Sequence, residues 1–298
     1  MKFAFFPGCS LESTGWDFAR STRAICRALG IELAEIPDWV CCGSTPAHTT
    51  NASLSVALPV MNLQKAQELG LPVLTACASC YARLRTANHV VRSDHEERSR
   101  VERITGKPYD GGVEVRHHLD VLVNDLGLEA IRAKVVRPLK RLRVASYYGC
   151  LLTRPPEIVA FDDTEHPVCM DDLVAAIGAE PVAWPYKTEC CGGALSITRS
   201  GIVNRLGFKL LTMARQAGAE CLAVACPLCE SNLDLRQADA AKAHGPIPDT
   251  PVLYITQLLG LALGLSHEDV GLDALIVSAA PLLAGIGAGG AALREEAR

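Results

Sequence analysis

Five cysteines recur in the same order in each half of this 298-residue chain. The first set is Cys9, then Cys41 and Cys42, then Cys77 and Cys80; the second is Cys150, then Cys190 and Cys191, then Cys226 and Cys229. From the cysteine pair to the Cys-x-x-Cys there are 34 residues in both halves (43–76 and 192–225), while the first gap is 31 residues in one half and 39 in the other. The chain is therefore a duplication with an eight-residue insertion in its second copy. The flanks agree: Phe6-Pro7-Gly8-Cys9 matches Tyr147-Tyr148-Gly149-Cys150, and Cys41-Cys42-Gly43 matches Cys190-Cys191-Gly192.

Each cysteine group follows an apolar run of strand length. These runs are Phe3 to Phe6, Ile31 to Ile36 and Val73 to Ala76, then Val144 to Tyr148, Pro181 to Trp184 and Leu222 to Ala225. Helix-length segments lie between them: Trp16 to Leu29, Ser53 to Leu69, Asp171 to Ile177 and Ile202 to Ala217, followed by Gly30, Gly70, Gly178 and Gly218 where a left-handed cap is favoured. Alternating strand and helix predicts an α/β fold of two tandem, pseudo-twofold related units with parallel sheets. The expected division is residues 1–142, with a charged helical linker that includes Arg92 to Arg103, and residues 143–298, with a C-terminal helix and an Ala/Gly-rich tail. In such sheets, sites form outside the carboxyl ends of the strands, and all ten cysteines fall at such ends.

A net charge of -4 with 49% hydrophobic residues gives no push towards nucleic acid. The Met1 to Pro7 start is much shorter than a secretory apolar region of about 7 to 15 residues, so the expected location is the cytoplasm, where cysteines stay reduced. Ala274 to Leu293 is uncharged and long enough to span a bilayer, but four glycines, Pro281 and many alanines make it weakly apolar. The expectation is a helix and tail lying against protein, without membrane contact.

Five thiolates are one too many for a structural zinc site, which takes four ligands. Adjacent cysteines point different ways along the chain, so both can serve one centre only if its metal atoms are spread over a few ångströms, as in an iron–sulfur cluster. The glycines after the cysteine pairs let backbone amides approach the sulfurs. Taken alone, Cys226-Pro227-Leu228-Cys229 also fits a thioredoxin-type redox site, but the matching set in the other half and the upstream pairs count against that. Cys26, Cys169 and Cys221 lie outside the pattern and read as buried or incidental thiols. His117 and His118 fall in the linker, on an expected helix and without cysteine neighbours, and read as surface or core residues.

The doubled arrangement, with Tyr147 to Pro156, Lys187-Thr188-Glu189-Cys190-Cys191-Gly192 and Ala225-Cys226-Pro227-Leu228-Cys229, resembles the B subunit of heterodisulfide reductase, of the Cys-Cys-Gly domain family, from residue 1 to about Leu283. The resemblance implies two noncubane four-iron four-sulfur clusters. One would be held by Cys9, Cys41, Cys42, Cys77 and Cys80, the other by Cys150, Cys190, Cys191, Cys226 and Cys229. It implies an oxidoreductase acting on a small disulfide or thiol, with no flavin or nucleotide on this chain. It also implies a ferredoxin-like C subunit as electron donor and a flavin-containing A subunit beyond it. Iron–sulfur subunits of lactate- and glycolate-oxidising enzymes are similar over their Cys-Cys-Gly part, but they carry ferredoxin motifs that this sequence lacks. Subunits of some succinate dehydrogenase and fumarate reductase complexes are also similar. An electron-transfer subunit of a quinone-linked complex, without a disulfide substrate, is therefore the competing expectation, and a zinc-stabilised interaction module is a third.

Disulfide cleavage takes two electrons, and an iron–sulfur cluster normally passes one, so two clusters facing one cleft match the chemistry. Arg154, Lys187 and Arg199 lie near cluster cysteines and are candidates to hold an anionic substrate; surface salt bridging is the competing role for each. His48, six residues after Cys42, is a candidate proton donor, with capping or packing as the alternative.

Overall fold

The computed structural model describes residues 1–159 and 161–284, without the side chain of Thr45. The first half runs β1 (Lys2–Phe5), α1 (Trp16–Leu29), β2 (Glu32–Glu35), α2 (Ser44–Thr50), α3 (Ala52–Leu69), β3 (Val73–Thr75), α4 (Ala78–Ser93), α5 (His95–Thr105), β4 (Val115–His117) and α6 (His118–Asp120). The last continues as a π-helical stretch, Val121–Gly127, into α7 (Leu128–Arg132). The second half runs β5 (Arg143–Tyr147), α8 (Pro156–Val159), α9 (Cys169–Ala176), β6 (Glu180–Pro181), α10 (Ser200–Gln216), β7 (Cys221–Val224), α11 (Pro227–Leu233), α12 (Gln237–His244), β8 (Val252–Tyr254) and α13 (Ile255–Ala262), and closes with α14 (Ala280–Ala284).

Two four-stranded parallel sheets result, in the orders β2-β1-β3-β4 and β6-β5-β7-β8. Equivalent strands occupy equivalent places, so the tandem α/β expectation stands. In each sheet the order reverses between the first and third strands, where a crevice opens at their carboxyl ends. That crevice is where the cysteines lie. The glycines expected to cap the helices all take positive φ, from +64° at Gly70 to +89° at Gly218.

The fourth strands, β4 and β8, were not expected. β4 is three residues long and includes Arg116 and His117, so its register is set by pairing with β3 (Val73 to Val115, Thr75 to His117) and not by its own pattern. This corrects the helical placement of His117, while the core reading of both histidines agrees with their burial. His117 ends a strand, His118 starts α6, and both are buried at 0% and 1% exposure. Burial lowers the His117 imidazole to about 4, and Nε2 hydrogen-bonds the Ala76 carbonyl oxygen at 2.9 Å, next to Cys77. The Arg92 to Arg103 region does form a helix, but α5 folds back on α3 and α4, with Gln64 Nε2 donating to Thr105 Oγ1 at 2.9 Å, and does not join the halves.

The halves are joined by exchange of helices. α13, which follows the last strand of the second sheet, packs on α1 of the first half. There Phe18 stacks on Tyr254 with ring centroids 3.9 Å apart, Ser21 Oγ meets Thr256 Oγ1 at 2.7 Å, and Gln257 Nε2 donates to Asp17 Oδ2 at 3.2 Å. Reciprocally, α6 and α7 pack on α9 of the second half. The apolar core is accordingly one continuous cluster from Phe3 to Leu283.

Among the described residues no helix is long and apolar enough to cross a membrane. Of the uncharged Ala274 to Leu293 segment, Ala274 to Ala284 is described and holds only the five-residue α14; the Ala/Gly-rich tail lies outside the described residues.

Candidate metal centre

Each strand end delivers its cysteines into the crevice, and the two halves do so identically. Cys9 follows β1 and Cys150 follows β5; the adjacent pairs follow β2 and β6; Cys77 and Cys226 stand directly before α4 and α11, which carry Cys80 and Cys229. The Cys41 Sγ lies 3.7 Å from Cys9 Sγ and the Cys42 Sγ 3.5 Å from Cys80 Sγ. The second half repeats this, with Cys150 to Cys190 at 3.8 Å and Cys191 to Cys229 at 3.5 Å. Adjacent cysteines do face different neighbours, the first outward and the second inward. The remaining cysteine of each set, Cys77 and Cys226, faces its counterpart across the halves closely enough for each to shift the other's ionisation. Among the described residues no three of His, Cys, Asp or Glu gather as a site for one ion.

Glycine makes room for the sulfurs. A Cβ on Gly8 would stand 2.7 Å from Cys80 Sγ, and one on Gly149 would stand 3.0 Å from Cys229 Sγ, both below van der Waals contact. Gly43 and Gly192, with φ of +78° and +80°, turn the chain after each cysteine pair, and the Gly192 amide donates to Cys190 Sγ at 3.3 Å.

Thiol pairs at these distances share protons. Hydrogen bonds from Cys150 and then from the Gly192 and Gly193 amides hold Cys190 at about 6, while Cys150 is driven up first by its hydrogen bond to Cys190. Hydrogen bonds from Cys42 and Cys9 push Cys41 down, and those from Cys229 and Cys77 push Cys226 down. In each set the lowered thiols are matched by partners that are raised, among them Cys9, Cys42 and Cys80 in the first set and Cys150 and Cys229 in the second. In the three other cysteines burial is the largest cause of the shift, and no set thiol contributes. Cys26 is raised to about 12 by burial, and burial raises Cys169 and Cys221 as well. None of the three meets a thiol of either set, so Cys26→Ala and Cys221→Ala are expected to keep full metal content on elemental analysis. Loss of a cluster's worth of metal from either would overturn the ligand sets.

A cavity of about 250 Å³ opens over the second set, lined by Cys150, Cys190, Cys191, Cys226 and Cys229. His48 lines it too, although it follows the first set in sequence; its Nδ1 hydrogen-bonds Ser44 O at 3.0 Å. Arg154 pairs with Glu165 at 3.3 Å, Lys187 pairs with Asp171 at 2.5 Å, and Arg199 is exposed at the start of α10; none of the three lines the cavity. Arg83 lines it instead. Sequence reasoning passed over Arg83, although its position one helical turn beyond Cys80 puts both on one face of α4. A larger cavity of about 910 Å³, with Asp234 and Leu282 in its wall, has no cysteine in its lining.

The cysteine-rich domain family designated CCG matches residues 3–85 and 144–234, one match over each five-cysteine set. The chain belongs to the CCG family. It is 33% identical over 94% of its length to the membrane anchor subunit of an 8-methylmenaquinol:fumarate reductase from Wolinella succinogenes, 99% of which is covered. It is 32% identical over 91% of its length to the B subunit of a ferredoxin/F(420)H(2)-dependent CoB–CoM heterodisulfide reductase from Methanosarcina acetivorans, 92% of which is covered. A protein from Archaeoglobus profundus, named for its likeness to the heterodisulfide reductase B subunit, is 31% identical over 91% of this chain and is 93% covered. Similarity to the heterodisulfide reductase B subunit therefore runs through both repeats and the segments between them. A crystal structure of a hypothetical protein from Helicobacter pylori superposes with a TM-score of 0.71 over 93% of this chain at 14% identity, and so shares the fold; this chain spans 52% of its length.

Proposed function

We propose that the chain is the iron–sulfur subunit of a heterodisulfide reductase-like complex and reductively cleaves a disulfide, or runs the reverse sulfur oxidation. Two noncubane four-iron four-sulfur clusters are assigned, one to Cys9, Cys41, Cys42, Cys77 and Cys80 and one to Cys150, Cys190, Cys191, Cys226 and Cys229. The observation that carries this reading is the gathering of the cysteines of each repeat at its strand ends, with sulfurs paired at 3.5 to 3.8 Å in both halves. The donor set fits such a group: paired thiols, thiolate-favouring amides and a glycine at each point of closest sulfur approach.

When bound, the clusters supply the two electrons, one each, that break the S–S bond. The chain's own residues do the rest. The cavity walls bring a substrate sulfur beside the second set and keep water back. His48 donates through Nδ1–H to Ser44 O, which leaves Nε2 to hold or give a proton to a departing thiolate. The balanced change is one disulfide, two electrons and two protons to two thiols. Electrons arrive through a ferredoxin-like C subunit from a flavin-containing A subunit.

A second reading has a specific observation behind it: the fumarate reductase subunit from Wolinella succinogenes is matched over nearly its whole length. In that reading the chain relays electrons between a quinol-linked partner and a dehydrogenase and has no disulfide substrate. Turnover separates them. The purified, cluster-loaded chain with an artificial one-electron donor is expected to cleave a small disulfide, counted as thiols released per electron pair. Reduction and reoxidation by partners with no thiol release would favour the relay.

A further inference from the structure

Arg83 has no carboxylate partner among the described residues, and the thiols that share its cavity are those of the second set. It is half-buried on α4, its Nε is buried with no hydrogen-bond partner, and it makes no ion pair among the described residues. A buried donor left unsatisfied is costly, so native structures supply a partner from the protein or from a ligand. The cavity that Arg83 lines contains no carboxylate. Its other walls include Leu151, Leu228 and Tyr148 of the second half, so Arg83 of one repeat lines the cysteine cavity of the other.

Comparison of the repeats isolates this residue. The third position after the last cysteine is Arg83 in the first half and Asn232 in the second. Asn232 spends its Nδ2 on the chain itself, donating to Cys191 O at 3.2 Å. Arg83 takes no such role. The repeats keep all ten cysteines alike and differ at this position, where one has a fork of donors that fits an oxyanion in two-point contact.

We propose that Arg83 holds the oxyanion of a thiol or disulfide substrate, a carboxylate, sulfonate or phosphate, and thereby sets the sulfur of that substrate against the second cysteine set. This rests on the disulfide reading above. The substrate is anchored by the first repeat and presented to the second, with the aliphatic walls of Leu151 and Leu228 along its stem.

The test uses the cluster-loaded full chain and two small thiols, mercaptopropionate and mercaptoethanol, which differ in bearing a carboxylate or a hydroxyl. In calorimetric titration the parent chain is expected to bind mercaptopropionate about tenfold or more tightly, the scale of one charged hydrogen-bonded contact. Arg83→Gln is expected to erase that preference with iron content unchanged, and Arg83→Lys to keep part of it as a point charge. In turnover, the KM for dithiodipropionate is expected to rise in Arg83→Gln with little change in kcat, and the KM for hydroxyethyl disulfide to stay as it was. Equal weakening of both thiols, or no change in either, would overturn the proposal. So would a shift confined to a cluster reduction potential with the preference intact, since Arg83 would then serve the metal centre. If Arg83→Gln failed to load iron, Arg83→Lys would decide alone: an undiminished preference in that variant counts against the assignment. A parent chain that binds mercaptopropionate through Arg83 but releases no thiol from any disulfide would retire the disulfide reading and leave Arg83 as the anion site.

Discussion

Cys41→Ala and Cys190→Ala are each expected to abolish disulfide cleavage, not to halve it. One cluster supplies one electron, and a disulfide that receives one electron yields a thiolate and a thiyl radical, not the two thiolates of the two-electron couple. Both sets must therefore act on one substrate molecule. The two cysteines suit the test because they stand at the exposed outer edge of their sets, away from Cys77 and Cys226. Each variant is expected to keep the other set's iron, about four of about eight atoms, and one of two paramagnetic signals. The measurement is thiol release with a one-electron donor beside iron analysis of the same sample. About half the parent activity in either variant would contradict the two-cluster mechanism even with the iron confirmed.

The second large effect is on stability. Phe18 is fully buried and stacked on Tyr254, where α13 of the second half covers α1 of the first. Phe18→Ala removes that ring from a core that is continuous through both halves, and a loss of about 3 to 5 kcal/mol is expected. Because the helices are exchanged, both halves should unfold together. Trp39 packs against Phe6 in the first half and Trp184 donates to Ser146 O in the second, which provides one fluorescence probe for each. Single-tryptophan versions of the chain are expected to give coincident denaturant transitions, both displaced by Phe18→Ala. Separate midpoints would mean that each half folds on its own core.

The parts of this architecture that were legible in the sequence are those written in local pattern. Apolar runs such as Phe3 to Phe6 and Leu222 to Ala225 are buried on both faces of a parallel sheet, so they show as strands without alternation. Gly30 and Gly70 mark helix ends because only a left-handed residue closes them there. The cysteine sets were legible because duplication displays the same five positions twice. What was missed depends on partners distant in sequence. β4 is held by pairing with β3, and nothing in Val115-Arg116-His117 says strand by itself. The apolar face of α13 shows that the helix is covered, but not that α1 of the other repeat covers it.

The cavity residues show the same division. Lys187 looked available from its nearness to Cys190, yet Asp171, sixteen residues away in α9, neutralises it. Arg154 is met by Glu165, beyond α8. That stretch between Cys150 and Cys190, the longer gap of the second copy, also turns towards the first half, where Arg85 Nε donates to Ile158 O at 2.7 Å and Phe161 meets Tyr81. Arg83 becomes visible only once the two repeats are brought together, since its helix carries Cys80 of one set while the residue lines the cavity of the other.

The most direct test of the account is the metal content of the chain purified without oxygen, read together with its paramagnetic spectrum after stepwise reduction. Two four-iron clusters require about eight irons with matching sulfide per chain and two separable signals, one lost in Cys41→Ala and the other in Cys190→Ala. Zinc in place of iron, or about four irons with a single signal that both substitutions remove, would contradict it.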